Sequence, residues 1–175
     1  MSWFHNLSIR SKVMTAFAAV LAVTIVLGVF SINRLSIVNE GAVTISDNYL
    51  VAANGLSDLG QNAMRYRQLQ GSFLLMADAD TRATTTRSLS TSQAESEKGW
   101  VTYSPTIGAG YERDIADKFH SELTDYLAMN DKFMALANTG KTAEASAYYT
   151  GEMRTLYNKF WADLQADEAY QLKMG

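Results

Sequence analysis

The sequence predicts an all-α fold: an antiparallel up-down-up-down four-helix bundle with an N-terminal transmembrane helix continuous with its first helix. Three observations carry that prediction. The 175 residues contain one proline, Pro105, where average usage near 5% gives about nine, and helix interiors are what proline disrupts. A run of 20 residues, 13–32, carries no charge. Beyond it, apolar residues recur at steps of three and four.

Composition narrows the chemistry. With 47% hydrophobic residues the chain can bury a core, which argues against disorder. It has no cysteine, so disulfides, thiolate catalysis, cysteine-held zinc and iron–sulfur clusters are excluded. Its formal net charge of -3 makes nucleic acid a poor partner.

Residues 1–12 read as a short cytoplasmic N-terminus and 13–32 as the transmembrane helix. Twenty residues at 1.5 Å each span about 30 Å, the hydrocarbon thickness of a bilayer. Arg10 and Lys12 precede the run. From residue 33 onward, 13 Lys+Arg face 18 Asp+Glu, so the positive-inside rule keeps the N-terminus inside and sends the rest across. Trp3 and Phe4 are candidate interface anchors. The run is too long for a cleaved signal's apolar region of 7–15 residues, and no small-x-small site closes it.

Residues 33–175 then divide into four helices. In the first, the steps run through Leu35, Val38, Ala42, Ile45, Tyr49, Ala52, Leu56, Leu59, Ala63, Tyr66, Gln70, Phe73 and Ala77; Gln70 is the one strongly polar member. Six heptads of this kind mark a helix packed in a coiled coil or bundle. Residues 77–81 break it, with Asp80 or Thr81 as N-cap of the second helix. That helix, to about Tyr103, is Thr/Ser-rich and weakly periodic through Ala83, Leu89 and Trp100. Residues 104–110, Ser-Pro-Thr-Ile-Gly-Ala-Gly, form a turn. The third helix steps through Ala116, Phe119, Leu123, Tyr126, Asn130, Phe133 and Ala137, and Asn138-Thr139-Gly140 ends it. The fourth, from Lys141, carries Tyr149, Met153, Leu156, Phe160 and Leu164 on one side. Short connections make successive helices antiparallel neighbours. Trp100 and Trp161 are expected to close the base of the core together.

Several segments, in this order and spacing, resemble one known family. They are Leu7-Ser8-Ile9-Arg10-Ser11-Lys12 before the apolar span, Met64-Arg65-Tyr66-Arg67 late in the first helix, and the turn Met76–Arg82. Thr139–Ala145 then leads into Tyr148-Tyr149-Thr150-Gly151. The chain resembles the periplasmic four-helix-bundle sensor of bacterial methyl-accepting chemotaxis proteins. That resemblance implies a homodimer through helix one in the bacterial inner membrane, sensing small solutes outside and signalling inward by a piston-like shift of helix four. Histidine kinases and diguanylate cyclases carry similar bundles, so the output domain stays open. The family's second transmembrane span and signalling domain are absent from these residues. Its aspartate-sensing members use three arginines spaced five and four apart. Here Arg65 and Arg67 stand two apart, so that specificity does not carry over.

A ligand layer follows from counting along the helices. Arg65 and Arg67 lie 10–12 residues before the tip at Ala77. The same distance on the other helices reaches Tyr126 to Asn130 and Tyr149 to Thr150, about 15–18 Å from the tip. Guanidinium groups bind carboxylates bidentately, and Tyr, Asn and Thr add neutral hydrogen bonds. The expected ligand-binding residues are therefore Arg65, Arg67, Tyr126, Asn130, Tyr149 and Thr150, and the expected ligand is an organic acid or amino acid. The bland alternatives are ion-paired arginines, core tyrosines and a register-fixing Asn130.

No catalytic, metal or cofactor site is expected. His120 has no histidine partner beyond the N-terminal His5, and no Glu-x-x-His pair occurs. Glu112, Asp114, Asp117, Glu122 and Asp125 read as the solvated face of helix three. The functional expectation is a transmembrane chemoreceptor sensor module, the alternative of a different class being a membrane-anchored scaffold that binds a partner protein.

Overall fold

A computed structural model describes residues 8–44 and 48–174. They are helical, with no strand among them. The chain forms two compact units, divided after Thr44.

The first unit is one helix, α1 (Ile9–Thr44). Its stretch Ile9–Asn39 is long and apolar enough to cross a membrane, and none of that stretch is buried against protein. The two threonines of the uncharged run turn inward: Thr15 Oγ1 donates to the Ser11 carbonyl and Thr24 Oγ1 to the Val20 carbonyl, both at 2.9 Å. Such back-bonds satisfy hydroxyls that hydrocarbon cannot solvate. Leu35 and Val38, the first two seam positions, are 69% and 66% exposed. The junction to the bundle, including seam position Ile45, lies outside the described residues, as do Trp3, Phe4 and His5.

The second unit is the bundle. It comprises α2 (Leu50–Phe73), α3 (Ala79–Tyr103), a 3-10 turn (Ser104–Thr106), α4 (Tyr111–Ala128), α5 (Asn130–Asn138), α6 (Thr142–Tyr148) and α7 (Arg154–Met174). A five-residue π-helical stretch, Tyr149–Met153, joins α6 to α7. The third expected helix is thus α4 and α5 with a one-residue break at Met129, and the fourth is α6, the π stretch and α7. Gly110 (φ +89°) and Gly140 (φ +79°) occupy left-handed turns where a side chain is disfavoured.

Most predicted seam positions form the core; Ala77 at the tip is exposed, and Tyr49, Asn130, Tyr149 and Leu156 are half-buried. Ala52, Leu56, Leu59, Ala63, Tyr66, Gln70 and Phe73 are all buried, as are Ala116, Phe119, Leu123, Tyr126, Phe133 and Ala137. Met153, Phe160 and Leu164 complete the interior from the fourth side.

Helix α3 differs from its reading. Ala83 is exposed, and the buried positions are Thr85, Leu89, Ser92, Ser96, Gly99 and Tyr103, stepping by four and three. This seam is made mainly of small and hydroxyl residues, so hydrophobicity alone does not reveal it. Its function is close approach. A Cβ on Gly99 would stand 2.6 Å from the Leu59 nitrogen and 2.7 Å from the Gly55 oxygen, and one on Gly55 would stand 2.8 Å from the Tyr103 nitrogen. The two backbones therefore touch, and Ser96 Oγ donates to the Leu59 carbonyl across the gap (3.3 Å). The N-cap of α3 is Asp78, two residues before Asp80 and three before Thr81, the two expected positions; its Oδ1 accepts from the Thr81 N–H at 2.7 Å. Arg82 binds the tip together, donating to the carbonyls of Met76 (2.9 Å) and Ala137 (3.3 Å).

Candidate functional site: an arginine among tyrosines

Helix periodicity places residues 66 and 67 about 100° apart, so Tyr66 points into the core while Arg67 turns toward the fourth side of the bundle. Arg67 is half-buried. Its guanidinium carbon sits 4.4 Å from the Tyr149 ring centroid, 4.8 Å from Tyr157 and 6.0 Å from Tyr126. It donates to the Tyr126 hydroxyl at 3.3 Å and to the Tyr149 carbonyl at 3.5 Å. The Tyr149 hydroxyl returns a bond to the Arg67 carbonyl at 3.1 Å. That carbonyl contact falls where the π-helical stretch interrupts the ordinary ladder of α6 and α7, a feature often found at functional sites.

No carboxylate lies within ion-pair distance of Arg67 among the described residues. The cation is held by aromatic faces and neutral oxygens. A guanidinium carries five N–H donors, and these partners use two. Burial pushes the Tyr126 phenol up and Arg67 pulls it back; Tyr157 is raised by the same burial and lowered by the same cation.

From Arg67 a polar chain runs through the core. Arg67 donates to Tyr126, and the Tyr126 hydroxyl donates to Gln70 Oε1 at 2.5 Å. Gln70 Nε2 then donates to Asn130 Oδ1 at 2.9 Å. Gln70 is fully buried, and both ends of its amide are satisfied.

Four of the six expected residues, Arg67, Tyr126, Asn130 and Tyr149, therefore share one layer and one bonded network. Arg65 does not join it: its side chain is exposed and contacts none of these groups among the described residues. Thr150 is exposed, and its hydroxyl donates to its own helix at the Ser146 carbonyl, 2.7 Å. Gln70 and Tyr157 belong to the layer and were not among the expected residues. Gln70 had a legible signal, a polar residue on an apolar seam. Tyr157 had only its spacing of eight from Tyr149, which α-helical counting blurs across a π stretch.

A second buried polar cluster lies at the opposite end, near the α3–α4 turn. The Tyr103 hydroxyl donates to Asp167 Oδ2 at 2.5 Å and stands 3.3 Å from Glu112 Oε1. Gln171 Nε2 also donates to Glu112 Oε1, and the Gly108 N–H donates to Glu112 Oε2 at 2.8 Å. Burial pushes Asp167 up to about 6, with Glu112 and Glu168 adding to the rise and Tyr103 opposing it. Glu112 is thus not on a solvated face. Nor is Glu122, which is buried with Lys159 Nζ 2.8 Å from its carboxylate. Both replace apolar residues on the inner side of α4 because another element supplies a partner for each: buried Tyr103 and Gln171 for Glu112, and the exposed Lys159 for Glu122. The tryptophans also separate: Trp100 stacks on His120 (3.8 Å, 5°) and meets Phe119 edge-on. Trp161 packs with Tyr157 and Phe160. The base of the core is the Tyr103 cluster, not a tryptophan pair.

No curated protein and no solved structure matches the chain. One family does, over residues 6–175, described as a four helix bundle sensory module for signal transduction. The chain belongs to that family, the four-helix-bundle sensory modules of methyl-accepting chemotaxis-type signalling proteins.

Proposed function

We propose that this module is the sensing part of a chemoreceptor and that it binds a small carboxylate, an organic acid or amino acid, at Arg67. In this reading residues 1–12 are cytoplasmic, 13–32 span the inner membrane, and 33–175 stand in the periplasm as a homodimer through helix one. No catalytic role is assigned to it. The observation that carries the reading is the Arg67 guanidinium, half-buried, without an acidic partner among the described residues and with donors to spare. A carboxylate supplies the missing charge and accepts two parallel N–H bonds. The apolar side chains exposed on α2, Leu50 (55%) and Met64 (39%), support a self-association surface on helix one.

The test is a thermal-shift screen of the full chain in detergent with organic acids and amino acids. A ligand at 100 times its Kd adds about 2.7 kcal/mol to stability. Arg67→Ala is expected to abolish the shift and leave the ligand-free fold intact. A broad screen without any shift refutes the carboxylate reading and favours a scaffold that binds protein.

A further inference from the structure

A cleft of about 360 Å³ opens between α2, α3 and the α4–α5 segment. It is lined by Tyr66, Gln93, Glu97, Thr124, Asn130 and Asp131, together with two apolar residues of α4. No residue of α6, the π stretch or α7 reaches it, so it is distinct from the Arg67 site. Its volume is at the lower end of the range for small-molecule sites, about 300–1,000 Å³.

Two observations on its chemistry point the same way. The first is Tyr66. Its side chain is 98% buried (2% exposed), yet its hydroxyl makes no hydrogen bond among the described residues. That oxygen is the ring's only polar atom, and the side chain forms part of the cleft wall. Asp131 is close enough to raise the phenol, which burial and that charge together push up to about 12. That oxygen is not among the buried polar atoms left without a partner, so it is reached from the cleft and is free to bond an occupant there.

The second is charge. Asp131 and Glu97 contribute carboxylates to the lining, and no Lys or Arg does. Asp131 has no ion pair among the described residues, and Glu97 has only His120, 4.0 Å away. That imidazole is stacked flat on Trp100, and its burial disfavours the charged form. The lysines next to these carboxylates in sequence both pair elsewhere: Lys132 with Glu152 (3.9 Å) and the face of the Tyr148 ring (4.0 Å), and Lys98 with Glu95 (2.8 Å). The cleft is thus an uncompensated anionic recess with an unmet hydroxyl in its wall.

We propose that this cleft is a second binding site that takes a small aliphatic amine in its ammonium form. An ammonium offers three N–H donors on a compact charge. Those donors suit the two carboxylates and the Tyr66 oxygen, and an anion would be repelled. Asn130 joins the cleft to the polar chain through Gln70 and Tyr126, so an occupant borders the same network that ends at Arg67.

The experiment uses the full chain in detergent and the series from 1,3-diaminopropane to 1,6-diaminohexane. The matching diols and sodium chloride at equal ionic strength are controls. The expected result is a rise in Tm with the diamines, no rise with the diols, and affinity at least tenfold weaker in Asp131→Asn. Tyr66→Phe, which keeps the buried ring, is expected to weaken binding severalfold. Arg67→Ala is expected to bind diamines as the wild type does. That separates this site from the carboxylate site, whichever of the two fails. The proposal is overturned if no diamine shifts Tm, if the diols shift it equally, or if Asp131→Asn and Glu97→Gln both bind with wild-type affinity.

Discussion

The Arg67 layer and the Tyr103 layer bury polar groups in the same bundle, and they do so in opposite ways. At the Tyr103 end two carboxylates, a phenol and an amide interlock, and Asp167 is wholly shielded from solvent, with its Oδ1 left without a partner. One phenolic proton cannot serve both Asp167 and Glu112, so that cluster is most favourable when a carboxyl holds a proton of its own. At the Arg67 end a cation rests on three tyrosine rings, meets only neutral oxygens and remains half-exposed. A closed network converts its polar groups into fold specificity. An open network with surplus donors leaves something for a ligand to complete.

Three substitutions sharpen that contrast. The largest effect is expected from Tyr103→Phe, which removes the only hydroxyl donor, among the described residues, from two buried carboxylates. A loss of about 3 kcal/mol in urea unfolding is expected, because a buried charge without its partner costs that much. A loss under about 1 kcal/mol would show the layer to be open to water after all.

The next concerns pH. The folded-state pKa of Asp167, about 6, lies above the ordinary carboxyl value of 3.8. The folded chain therefore holds this proton more tightly than the unfolded chain. The associated stability is fully present below about pH 4 and is lost as pH rises through 6. Asp167→Asn mimics the protonated side chain. It is expected to be more stable than wild type at pH 8, by on the order of 2 kcal/mol, with the advantage vanishing toward pH 4. Urea melts of both proteins at pH 4, 6 and 8 read this directly, and a pH-independent difference would contradict it.

The smallest effect belongs to the open layer. A Cβ on Gly71 would meet the Tyr149 hydroxyl at 2.8 Å. Gly71→Ala displaces that hydroxyl from the Arg67 carbonyl, a single hydrogen bond worth about 1 kcal/mol. The loss is partly offset by alanine's better helix propensity. Its expected signature is near-normal stability with a weakened carboxylate-induced Tm shift, so stability and binding respond separately there.

Much of this architecture is legible in the chain, for identifiable reasons. The seams of the first, third and fourth bundle helices are apolar at steps of three and four, and burial follows hydrophobicity there. Gln70 and Asn130 stand out as polar residues on those seams, and they hydrogen-bond to each other. The α3 seam is not legible, because its requirement is small size for backbone contact and not hydrophobicity. Glu112 and Glu122 fall on the inner side of α4 but read as solvated, since a glutamate is buried only where another helix supplies its partner. Arg65 and Arg67 look alike in the sequence. The way α2 faces α4, the π stretch and α7 separates the exposed one from the one held by three rings.

The sequence by itself determined the helical class, the apolar N-terminal span and the heptad seams, because these depend on local periodicity and on hydrophobicity summed along one chain. Only the tertiary structure decided which polar residues meet. That choice rests on contacts between helices, where residues 59 to 82 positions apart come within hydrogen-bond distance of Arg67. It also rests on the π stretch at Tyr149–Met153, whose register no helical count anticipates.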